Sequence, residues 1–86
     1  MKVDHELKIR SEFLKEIWKG NKKAELRLDD RGFNLGDVVL LKEWKPAKKV
    51  FTGRGTYVRI THIVQVGKLI PNSHPWVMFS FEEIVE

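Results

Sequence analysis

Apolar and polar residues alternate with period two over the first stretch, VDHELKI. Val3, His5, Leu7 and Ile9 take one face and Asp4, Glu6 and Lys8 the other, which predicts a strand. SEFLKEIWKG changes period. Ser11 is a plausible N-cap, Glu12 falls in the first turn, Phe13, Leu14, Ile17 and Trp18 share a helical face, and Lys19 and Gly20 close the segment. Ala24, Leu26 and Leu28 then alternate with Lys23, Glu25 and Arg27, a second strand that ends at the turn formers DDRG. GDVVLLKEW opens at a Gly36-Asp37 turn and is apolar on both faces, as in a strand buried on two sides or bent by a bulge. KPAKKVFTGRG, with one proline and two glycines, predicts a long hairpin connection. TYVRITHIVQV sets Val58, Ile60, His62, Val64 and Val66 against Tyr57, Arg59, Thr61, Ile63 and Gln65, GKLIPNSHP makes a loop, and WVMFSFEEIVE supplies a final strand with Val77, Phe79 and Phe81 on one side.

One helix after the first strand, with the other strands following, predicts an α+β domain. A twisted sheet of about five strands can close on itself and hide its edges, so we expect a single unit over residues 1–86. It would be a small β-barrel of five to six strands with one N-terminal helix plugging an end. The patterns place Phe13, Ile17, Leu26, Leu40, Ile60 and Val64 in its core, with Trp18 and Trp44 packed there too.

Size narrows the chemistry. A chain of 86 residues buries only about 60 to 65% of its unfolded surface, which favours a shallow groove over a deep cavity. The absence of cysteine removes disulfides, thiolate nucleophiles and thiolate metal ligands, and suits a reducing, cytoplasmic setting. MKVDHELKIR contains no apolar run, so neither a signal peptide nor a membrane span is expected. The net charge of +4 is unevenly spread. Residues 42–59 hold six basic groups against Glu43 alone, a surplus that would attract phosphates if it forms one surface. Lys45, Lys48, Lys49 and Arg54 are the nucleic-acid-binding candidates there; a loop kept soluble by lysines is the plainer account.

The most charged stretch is GNKKAELRLDDRG, where seven of the eleven residues from Asn21 to Arg31 are charged. Its pattern G-x-K-x-x-E-x-R (Gly20, Lys22, Glu25, Arg27), with Asp30-Arg31, Phe33, Gly36-Asp37 and Glu43 behind it, resembles the small bacterial and phage branch of the ASCH family, whose fold is similar to PUA domains. The resemblance runs from His5 to about Val66. It implies a barrel with an open cleft beside the Lys, Glu and Arg of the pattern, and a role in binding RNA or nucleotides. Relatives commonly carry threonine where Lys23 stands.

On a strand Glu25 and Arg27 point to the same face about 7 Å apart. The carboxylate can accept from base amino or ribose hydroxyl groups while the guanidinium offers a planar fork to phosphate or a base edge. Lys22 would add a point charge at the mouth, and Lys23 and Arg31 complete the ligand-binding candidates. The competing account is an exposed ion pair worth about 0 to 1 kcal/mol. Asp29 and Asp30 fall in a turn, where aspartates bond to nearby backbone N–H groups.

Catalysis is the second function class. The resemblance extends to small hydrolases of acylated nucleosides or RNA that use a lysine, a hydroxyl and a carboxylate; Lys22 and Glu25 would be the catalytic candidates. No Ser, Thr or Tyr stands between Lys22 and Arg27, so the hydroxyl would come from Tyr57, Thr61 or Ser80. His5, His62 and His74 form no metal-ligand pattern, and no glycine-rich phosphate motif is present, so no metal or cofactor is expected. A protein-interaction module acting through exposed strand edges is the third class.

Overall fold

The chain runs β1 (His5–Arg10), α1 (Ser11–Trp18), β2 (Ala24–Leu28), β3 (Val38–Lys45), β4 (Val50–Gln65) and β5 (Trp76–Glu83) in the computed structural model, which describes residues 1–85. Glu86, the end of the predicted last segment, lies outside the described residues. The five strands form one sheet in the order β1-β3-β4-β5-β2. β1 and β3 are parallel, joined by the long crossover through α1 and β2 that a parallel pair needs, and every other pairing is antiparallel. The sheet curls into a half-barrel, bringing its two edge strands within side-chain reach of each other. Arg27 on β2 donates to the Lys8 carbonyl on β1, and Arg31 just beyond β2 donates to the Glu6 carbonyl at 3.2 Å.

The concave face holds the core. Leu7, Ile9, Val39, Leu41, Val58, Ile60, Val77 and Phe79 pack there against Leu14 and Ile17 of α1. Fully burying such side chains contributes about 1.5 to 3 kcal/mol each. The helix covers the sheet with a narrow stripe only. At 100° per residue, Phe13 and Trp18 lie about 70° to either side of the Leu14–Ile17 direction, so both emerge at the margins and are exposed rather than core as the pattern predicted. Ser11 is the first helical residue and not the cap; Arg10 takes the cap position without a side-chain bond. The other end forms a Schellman closure, with Gly20 N–H donating to the Ile17 carbonyl and Asn21 N–H to that of Glu16, and Gly20 at φ 81°.

Three further departures from the pattern matter for the site. β2 has the opposite phase to that expected: Glu25 is buried at 6% exposure, whereas Leu26 is 59% exposed. Leu26 and Leu28 instead pair across the outer face with Met78 and Trp76 of β5. The β3–β4 connection is a short turn over residues 46–49, because Val50 to Gly55 continue the ladder of β4. A register shift between Ile60 and His62 then reverses the phase of β4, leaving His62 exposed and packing Ile63 against the core. Of the remaining core expectations, Ile17 and Ile60 are fully buried, while Leu40, Trp44 and Val64 are half-buried.

Candidate functional site

The gap between the edges of β1 and β2 is a cleft of about 590 Å³. Lys22, Glu25, Arg27, Asp30 and Arg31 line it, together with Leu7, Ile9, Phe13, Phe33 and Trp76. Local structure accounts for the arrangement. The Schellman turn at Gly20 swings the chain back so that Lys22 meets the start of β2, where its N–H donates to the Glu16 carbonyl at 3.1 Å. The inward phase of β2 does the rest, directing both Glu25 and Arg27 toward the concave side.

Glu25 is the centre of the polar network. One carboxylate oxygen lies 3.1 Å from the Lys22 ammonium and the other accepts from Arg27 Nε at 2.9 Å. Lys22 also donates to the Ala24 carbonyl at 2.7 Å. Buried as it is, this carboxylate belongs to a different regime from a surface ion pair, and removing one cation would leave a desolvated charge short of a partner. Arg31 donates to Asp30 at 2.9 Å. That bond holds the Asp30 carboxyl below its ordinary range and, reciprocally, raises Arg31. Lys22, Arg27 and Arg31 thus face Glu25 and Asp30, and Lys8 and Arg10 border the same cleft, so its cations outnumber its carboxylates.

Asp29 stands apart from this set. Its carboxylate accepts from the backbone N–H groups of Gly32 at 2.8 Å and Phe33 at 3.3 Å, closing the turn as its residue type predicts. Phe13, assigned to the core from its period, instead borders the cleft at 46% exposure, with its ring centroid 5.2 Å from the Lys22 ammonium. Trp76 is a second exposed aromatic on the rim. The helical-wheel margin was the one sequence signal available for Phe13; nothing local marked Trp76.

Other candidates are not brought to the cleft. Lys23 opens onto a separate hollow beside Ile17, Gly20 and Phe81. Lys45, Lys48 and Lys49 are exposed at the β3–β4 turn, where Lys45 and Lys48 flank a hollow with Arg10 and Ser11. Arg10 borders both that hollow and the cleft. Arg54 is not a free cation. Its Nε lies 3.2 Å from Glu43, a carboxylate only 3% exposed, and its guanidinium carbon is 5.0 Å from the Trp18 ring centroid. Glu43 is held below the ordinary carboxylate range, chiefly by the hydrogen bond from the Thr52 hydroxyl. The buried Ser11 hydroxyl has no hydrogen-bond partner among the described residues.

No hydroxyl side chain lines the cleft among the described residues. Tyr57 and Thr61 are exposed on β4, and Ser80 takes the outward phase of β5. His5 accepts or donates a 2.7 Å bond with Asp37 and sits edge-on to Phe33, a satisfied, half-buried histidine. Among the described residues no group of three or more His, Asp or Glu side chains is placed to hold a metal ion, and no helix is long and apolar enough to cross a membrane.

These features define a small curled-sheet domain with a cationic, aromatic-edged cleft between its edge strands. The chain belongs to the family described as DUF3850, a domain of unknown function, whose model matches residues 4–81. It is also similar to the "Uncharacterized 12.9 kDa protein in GpA 3'region" of Escherichia phage P2, with 37% identity over 62 residues covering 72% of this chain and 55% of that protein. The chain therefore spans about half the length of this curated relative.

Proposed function

We propose that the cleft binds RNA or a nucleotide, and that the half-barrel is a PUA-like domain of the ASCH type. The observation that carries this reading is the convergence of Lys22, Glu25, Arg27 and Arg31 with the exposed ring of Phe13 in one open cleft, with Trp76 at its outer rim. A base stacks on an aromatic face, Glu25 accepts from its amino group or from a ribose hydroxyl, and a cation of the surplus takes phosphate. Because both Glu25 oxygens already hold a cation, the acceptor is fixed in place before the ligand arrives.

The test is equilibrium binding of nucleoside monophosphates and short RNA, paired with a turnover assay on acylated nucleosides and RNA. Lys22→Ala and Arg27→Ala are expected to weaken binding about tenfold or more, the scale of one charge-assisted contact, while Glu25→Gln shifts the preference among bases. Folding of each variant is checked by circular dichroism. Robust hydrolysis lost in Lys22→Ala would replace this reading with a hydrolase. Unchanged binding in all three variants would return the stretch to a structural role.

A further inference from the structure

A second surface lies on the opposite, outer face of β1, β3 and β4. The register sets Lys8 beside Lys42, Lys42 beside Gly55, Trp44 beside Phe51 and Leu40 beside Tyr57, all in the phase that points away from the core. Cations lie on the rings: the Lys8 ammonium is 4.0 Å from the Trp44 centroid and the Lys42 ammonium 4.5 Å from that of Phe51. Trp44 and Phe51 meet edge to face at 4.8 Å. Between Phe51 and Tyr57 runs a trough of about 250 Å³. Its floor is bare because Gly53 and Gly55 line it, and a Cβ on Gly55 would come within 2.5 Å of the Leu41 carbonyl oxygen. Phe51 and Tyr57, both exposed, stand at its two ends, six residues and roughly 20 Å apart along β4.

We propose that this face is a second binding site, for a short single strand of nucleic acid. Exposed rings stack on bases regardless of sequence, and the ammonium groups beside them take the phosphates between. Charge decides against a protein partner. Lysine is depleted in protein interfaces, yet here Lys8 and Lys42 overlie the aromatic centre, and Glu6, bonded to Lys42 at 3.3 Å, is the carboxylate of this face. The trough follows the strand for a length that suits several nucleotides rather than one base. Of the residues invoked, only Lys8 also borders the cleft; Lys42, Trp44, Phe51 and Tyr57 do not, so the ring variants test this face separately from the cleft.

The experiment measures fluorescence polarisation of labelled eight-nucleotide uridine RNA and thymidine DNA, and separately the binding of AMP. Phe51→Leu and Tyr57→Leu keep apolar bulk and remove the ring. Each is expected to lower oligonucleotide affinity about fivefold or more while leaving AMP binding unchanged. Lys8→Gln with Lys42→Gln should reduce the slope of log affinity against log salt by about 1.4, from ~0.7 per phosphate on a single strand. Equal losses with RNA and DNA support recognition of phosphate and base alone; a loss with one polymer only assigns the site to that polymer. Unchanged oligonucleotide affinity in both leucine variants, folded by circular dichroism, overturns the proposal and leaves the face to a protein partner or to none. Absence of oligonucleotide binding by the wild type at low salt overturns it as well.

Discussion

Gly20 shows how much one backbone angle decides. With φ at 81°, it closes α1 and sends the chain back so that Lys22 reaches Glu25. Nothing lies within 4 Å of where its Cβ would be, so a substitution there acts through backbone conformation alone. Gly20→Ala is expected to lose about 1 to 2 kcal/mol in urea unfolding, the cost of a left-handed angle for a residue with a side chain. Gly55 obeys the other rule: its backbone angle is ordinary, but the 2.5 Å approach to the Leu41 carbonyl excludes a side chain. The left-handed glycine after a helix was legible from residue type and position. The close approach at Gly55 was not, since it depends on how β4 lies across β3.

At the scale of elements, β2 is the instructive case. Alternation located the strand correctly, but the assumption that leucines face inward assigned it the wrong phase. β2 pairs with β5 alone, and its concave side looks across the cleft at β1 rather than into packed hydrocarbon. Glu25 and Arg27 bond to each other there and Arg27 to the Lys8 carbonyl, so the charges that turn inward are paired rather than orphaned. Leu26 and Leu28 are left outside. Leu26→Thr should therefore change stability by no more than about 0.5 kcal/mol, whereas Ile17→Ala, from the fully buried stripe of α1, should cost about 2 to 5 kcal/mol. Chemical denaturation of the two variants side by side tests the phase directly. A large loss at Leu26 would contradict it.

For the molecule as a whole, the buried Glu43 contributes to the response to acid. Glu43 has its protonation equilibrium lowered in the folded state, mainly by the Thr52 hydroxyl, with Arg54 and Lys45 adding to the effect. The folded chain then binds fewer protons than the unfolded chain between the two values, so this contribution is complete above the ordinary carboxylate range, roughly pH 4. It is lost as pH falls through the lowered value. Glu43→Gln should flatten the acid limb of a thermal-stability profile below about pH 5 while shifting the neutral plateau by a constant amount. An acid limb identical in wild type and variant would remove Glu43 from this role.

Period and turn chemistry were enough to locate one helix and five strands, because alternation and capping are local properties of the chain. Lys22, Glu25 and Arg27 were singled out by the resemblance to the ASCH pattern, since their spacing alone fits an exposed ion pair equally well, and Arg31 entered as a further candidate from the turn after the strand. Which side of each strand is the inside was settled only by the curl of the sheet. Phase depends on where neighbouring strands lie, and the register shift between Ile60 and His62 reverses it midway along β4. For the same reason Phe13 and Trp76 could not be placed at the cleft from sequence. Their exposure follows from a helix that buries only a narrow stripe and from a seam where β1 and β2 approach without pairing, both consequences of tertiary packing.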